Sequence, residues 1–178
     1  MSGAPTPREL AYCGLFGAAA LLLPVLFHVV HLGHVFMPMY LPLCTLAFFV
    51  RPLPAALTAF VTPLLSGAVS GMPPFYPPVA LFMALELAAM TAAISAASRR
   101  WPGLPEWLVL APVLVMGRFL YTGLVHAFAL WIDLPATFLA GLSFLSGWPG
   151  ILLMMAVVPP VVRASRRGRR AGEGTDGR

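Results

Sequence analysis

One carboxylate, Glu86, lies inside an otherwise apolar run from Val79 to Ser98. A run of about 20 apolar residues is long enough for a helix to cross a bilayer. A charge within it costs roughly 2.5 kcal/mol or more unless it meets a partner or a wet cavity. Glu86 therefore requires a partner from elsewhere in the chain. The segment just before it, Gly71-Met72-Pro73-Pro74-Phe75-Tyr76-Pro77-Pro78, cannot continue a helix, because four prolines remove amide donors and restrict the residues before them. It reads as a stiff loop that carries Phe75 and Tyr76 at the membrane edge, a lid over a pocket with Glu86 in its floor.

Composition fits a chain that lives in lipid. Hydrophobic residues make up 60% of the 178 residues and charged residues 10%, against a usual charged share of about 25% in soluble domains. The expected class is an all-α integral membrane protein with a single domain over residues 1–162 and a basic, disordered tail over 163–178. The net charge of +5 comes from arginine alone, since the chain has no lysine. A phosphate-loop lysine, a Schiff base and a lysine nucleophile are thereby excluded. Cys13 and Cys44 both lie in apolar runs and read as packing residues, not as a disulfide framework.

Six spans are expected. The first is Leu10 to Val30, too long for the apolar core of a signal peptide; its Gly14 and Ala18 form a small-xxx-small pair that admits a close helix neighbour, in this chain or in another. His28, His31 and His34 follow at intervals of three. They fan over about a third of a helix circumference and suit a wet interfacial loop, a metal site or a hydrogen-bonding group for a ligand. Met39 to Val50, extended back through Val35, is the second span, and Pro54 to Ser70 the third. Val79 to Ser98 is the fourth and Trp107 to Leu130 the fifth. A break at Gly147-Trp148-Pro149-Gly150 separates a short interfacial helix from a sixth span beginning near Ile151.

Arginine placement orients these spans. Arg8, Arg51, Arg99, Arg100 and the six arginines from Arg163 onward fall on one side of a six-helix layout. The positive-inside rule makes that side, with both termini, cytoplasmic. The protein is then a multi-pass protein of the cell membrane in contact with lipid.

Arg118, near the middle of the fifth span, is the candidate partner for Glu86. Tyr121 and Thr122 follow one turn outward and His126 one turn further, giving that helix a polar stripe, while Met83 and Met90 flank Glu86 with adaptable apolar contacts. Two readings stand side by side: a bridge that only holds helices together, or an apolar site in which Arg118 meets a ligand anion. In the second, the substrate-binding set is Glu86, Arg118, Tyr121, Thr122, His126, Met83, His34, Tyr76 and Phe75.

The pattern Pro38-x3-Pro42, Pro63-Leu64-Leu65-Ser66, Gly71-Met72-Pro73-Pro74 and Ala84-Leu85-Glu86-Leu87 resembles the substrate-binding membrane subunits (S components) of energy-coupling factor transporters, over roughly residues 10–162. The resemblance implies a six-helix subunit that captures a vitamin or related micronutrient outside the cell. It implies as partners a transmembrane coupling protein, met by Gly14 and Ala18, and two ATPase subunits. There is no biotin-type glycine cluster and no histidine immediately after Met1 as in metal-uptake subfamilies, so the class is implied without the ligand. No cofactor, nucleic-acid partner or catalytic role is expected. The alternatives are a metal-uptake subunit using His28, His31 and His34, an intramembrane enzyme with Glu86 and His126 as acid and base, and a passive helical scaffold.

Overall fold

The computed structural model describes residues 4–29, 38–76, 78–131 and 148–173, with the side chains of residues 28, 29 and 168–173 outside that set. Among the described residues there are six helices: α1 (Pro7–Val29), α2 (Tyr40–Leu46), α3 (Pro52–Ser70), α4 (Val79–Arg100), α5 (Glu106–Trp131) and α6 (Trp148–Glu173). All except α2 are long and apolar enough to cross a membrane. The protein is thus a helical, multi-pass type of chain, as its composition requires.

Local chemistry explains the boundaries. Thr6 and Glu9 form a capping box at the start of α1: the Thr6 amide donates to the Glu9 carboxylate at 3.0 Å, and the Glu9 amide donates to the Thr6 hydroxyl at 3.3 Å. Pro52 opens α3, where its missing amide costs nothing. Gly71 closes α3 in the left-handed region at φ 73°, and its amide donates to the Gly67 carbonyl at 3.0 Å.

The centre of the packing is α2. Tyr40, Pro42, Leu43, Cys44, Thr45 and Leu46 are all buried, and α2 packs against α1, α3, α4 and α6. Its regular helix has 7 residues, far short of a span, and the chain from Ala47 to Val50 runs as turns. This corrects the expectation of a helical second span through Val50. The turn is buried in protein instead of facing lipid, so its freed backbone groups find partners within the bundle. Ser95 of α4 donates to the Val50 carbonyl at 2.6 Å. The backward extension through Val35 lies outside the described residues.

Two ionic fastenings fix the direction of the five long helices. Arg51 Nη2 lies 3.0 Å from Glu9, bringing the start of α1 beside the start of α3. The short α3–α4 and α4–α5 connections then return α4 to that end and start α5 from it. Arg163 and Arg166 reach Glu106 at 2.9 and 3.3 Å, so α6 finishes there too. Arg8, Arg51, Arg99, Arg100, Arg163 and Arg166 therefore share one end of the bundle, called here the arginine end.

The four tryptophans mark both ends. Trp101 and Trp107 are exposed at the arginine end, and Trp131 and Trp148 are exposed at the other. Amphipathic rings in two layers with apolar surface between them match the two interfaces of a bilayer.

The last helix, α6, begins within the expected break, at Trp148 and Pro149, a place where proline is tolerated, three residues before the expected start near Ile151; Gly147 and the interfacial helix expected before it lie outside the described residues. The tail was to be disordered from Arg163, whereas α6 continues to Glu173 because Arg163 and Arg166 are anchored on Glu106 and prolong the helix past its apolar part. Within the chain, α1 packs through Tyr12, Phe16, Gly17 and Ala20. The Tyr12 and Phe16 rings stack on Phe49 with centroids at 5.5 and 5.8 Å, and Gly17 faces Thr58. Gly14 and Ala18 are exposed instead, with open space around Gly14.

Candidate functional site

Three helices contribute to one buried polar cluster. Glu86 of α4 is fully buried and Arg118 of α5 is 5% exposed. Arg118 Nη2 approaches Glu86 Oε1 at 3.4 Å. The Tyr40 hydroxyl, at the first residue of α2, donates to Glu86 Oε2 at 2.5 Å. The guanidinium also lies over two rings, 5.7 Å from the centroid of Tyr40 and 5.7 Å from that of Tyr121. Each face-on approach of a cation to an aromatic ring is worth roughly 0.5 to 2 kcal/mol, the larger value where water is excluded.

The sequence of each helix puts these groups in place. Glu86 shares a buried stripe of α4 with Met90 and Ile94, and Arg118 shares one of α5 with Leu114, Tyr121 and Val125. Gly117 lies where α5 faces α4, and a β-carbon there would meet the Met90 side chain in its present position. The two helices lie near enough for the arginine to span the gap.

The expected pairing of Glu86 with Arg118 is present, and Tyr121 joins it. Met83 is half-buried against the core, and Thr122 is half-buried beside the cluster's stripe. His126 is exposed on α5 and does not share Glu86's surroundings. Eight positions from Arg118 correspond to about 80° around the helix and about 12 Å along it. An acid–base pair of Glu86 and His126 therefore has no geometric basis here. Tyr40 was missed in the sequence, where only its position just after Pro38-Met39, at the head of an apolar run, sets it apart.

Phe75 and Tyr76 are both exposed, and the loop that carries them is fastened to α3. Ser66 and Ser70 donate to the Met72 carbonyl at 2.7 and 3.2 Å, and Phe75 lies against Gly67. The loop thus caps the last turns of α3. Among the described residues no three of His, Cys, Asp and Glu gather as a metal site; His31 and His34, and the side chain of His28, fall outside the described residues.

Compared with known protein families, with characterised proteins and with solved structures, the chain matches none. What the fold and cluster define is a class: a helical membrane protein with a buried, aromatic-lined carboxylate–guanidinium pair.

Proposed function

We propose that the protein is the substrate-capture subunit of an energy-coupling factor transporter, taking up a small, partly apolar carboxylate such as a vitamin. The observation that carries this reading is Arg118, a buried guanidinium over both the Tyr40 and the Tyr121 rings with one carboxylate beside it. A planar fork of donors close to aromatic rings matches a ligand carboxylate attached to an apolar body. The ligand carboxylate takes the place of Glu86 on Arg118, and Tyr40 keeps Glu86 hydrogen-bonded. The motif resemblance at residues 38–42, 63–66, 71–74 and 84–87 supports the same class.

In this reading the chain crosses the cell membrane six times with both termini in the cytoplasm, in keeping with the arginine end and the two tryptophan layers. The exposed Gly14 and Ala18 face of α1 meets a transmembrane coupling protein, which works with two ATPase subunits. The protein itself carries no catalysis.

A second reading rests on the closure of the cluster: every buried side-chain nitrogen or oxygen among the described residues has a hydrogen-bond partner. Such a pair can serve only to join α2, α4 and α5. Native mass spectrometry of the protein from its own cells looks for a co-purifying carboxylate, and Arg118→Met combined with Glu86→Gln then separates the readings. Transport predicts about ten- to a hundredfold weaker binding of that carboxylate. Unchanged affinity in the doubly neutral protein makes the pair structural and this assignment wrong.

A further inference from the structure

The arginine end has more cations than its own acids can answer. The described acidic side chains are Glu9, Glu86 and Glu106, and each already holds an arginine: Glu9 holds Arg51, Glu86 holds Arg118, and Glu106 holds both Arg163 and Arg166. No ion pair among the described residues involves Arg8, Arg99, Arg100 or Arg167, and all four are exposed.

Two of these four stand together. Arg99 and Arg100 are the last residues of α4, and the five-residue turn after them, Trp101-Pro102-Gly103-Leu104-Pro105, carries exposed Trp101 and Leu104. Arg100 lies 6.0 Å from the Trp101 ring centroid. The first turn of α5 adds exposed Trp107 and Leu108. The Arg100 guanidinium is thus set beside the Trp101 indole, with exposed Arg99 one position before it, in a turn whose exposed indole and aliphatic side chains belong at the level of lipid headgroups and upper chains. Guanidinium forks bind phosphate oxygens well, and the neighbouring apolar groups supply a surface for the chains attached to that phosphate. A free phosphate ion would use only the first half of this arrangement. A zwitterionic headgroup would bring its own cation against the arginines.

We propose that the α4–α5 turn is a binding site for an anionic phospholipid, its headgroup phosphate held by Arg99 and Arg100 and its chains lying against Trp101 and Leu104. The site depends on membrane insertion but not on the transport reading, and it concerns a different end of the bundle from Tyr76.

The test uses the full chain in detergent with equimolar phosphatidylglycerol and phosphatidylcholine, read by native mass spectrometry. The parent protein should retain phosphatidylglycerol in preference. Arg99→Gln with Arg100→Gln should weaken that retention about twenty-five-fold, taking roughly fivefold for each arginine near an anionic headgroup. Arg100→Gln alone should give about fivefold, which keeps the test decisive if the double variant is poorly produced. Arg8→Gln, which removes an equally unpaired arginine on α1, should retain phosphatidylglycerol at the parental level. Equal loss in Arg8→Gln means diffuse attraction and overturns the site. Equal retention of phosphatidylcholine, or release of the lipid by inorganic phosphate alone, overturns the lipid assignment.

Discussion

The Tyr40 hydroxyl donates to the Glu86 carboxylate that also holds Arg118, so the first residue of α2 is bonded to the buried charge pair of α4 and α5. Tyr40→Phe keeps the ring over Arg118 and removes the donor. An unsatisfied buried carboxylate oxygen costs about 1 to 3 kcal/mol. The variant should therefore unfold at lower temperature than the parent. Glu86→Gln, which removes the charge that needs the donor, should make the Tyr40→Phe change milder in a double-mutant cycle. Equal losses in both backgrounds would mean that the hydroxyl contributes nothing through Glu86.

Two glycines should respond differently to the same small change. At Gly67 a new β-carbon would lie 2.7 Å from the Pro73 carbonyl oxygen and 3.0 Å from the Phe75 ring, so backbone must move. At Gly117 the obstacle is the flexible Met90 side chain. Gly67→Ala should displace the α3–α4 loop and raise proteolysis near Phe75, whereas Gly117→Ala should be tolerated with a rearranged methionine. Gly117→Leu should be destabilised by about 1 to 3 kcal/mol through overpacking. Limited proteolysis and thermal unfolding in detergent distinguish these outcomes.

The Glu9 carboxylate combines two tasks, capping α1 and accepting from the Arg51 amide at 2.9 Å and from its Nε at 3.0 Å. Glu9→Gln retains one acceptor oxygen but loses the charge. Loss of an N-terminal cap typically costs about 0.5 to 2 kcal/mol. Hydrogen exchange should speed up in the first turn of α1 and around Arg51 together, leaving Tyr40 to Leu46 protected. Faster exchange confined to α1 would show that Arg51 is held by other means.

The position of the arginine end has a direct readout. Tags placed before Ser2 and after Arg178 should both be cytoplasmic, and a tag inserted at Phe75 should be outside. Accessibility of the C-terminal tag from outside intact cells would overturn the six-crossing arrangement.

The long helices could be read in the sequence because each is an apolar run bounded by proline, glycine or charge. Glu86 and Arg118 were also legible, since a charge inside such a run needs an opposite charge and the chain offers few. Tyr40 was not, because its bond to Glu86 joins residues 46 positions apart and nothing local to Tyr40 requires that partner. The central place of α2 was hidden for the same reason. Its apolar residues would suit lipid equally well, and only the packing of four neighbours decides that they face protein. His126 was drawn into the site by stepping in fours along α5, although the buried stripe on that helix passes through Val125 and Ala129. The helical continuation beyond Arg163 depended on Glu106, a distant acid that turns a basic tail into an anchored one.

The tryptophan layers make α5 a gauge of its surroundings. Trp107 and Trp131 lie twenty-four positions apart on that helix, about 36 Å at 1.5 Å per residue. The hydrocarbon slab of an ordinary bilayer is about 30 Å thick, and each ångström of disagreement costs a fraction of a kcal/mol in tilt or lipid deformation. In a thinner bilayer α5 must lean, and because Arg118 is near its middle, the tilt acts on the helix that carries the buried guanidinium. Acyl-chain length thereby becomes a variable that can alter the geometry around Glu86 without any change in the protein.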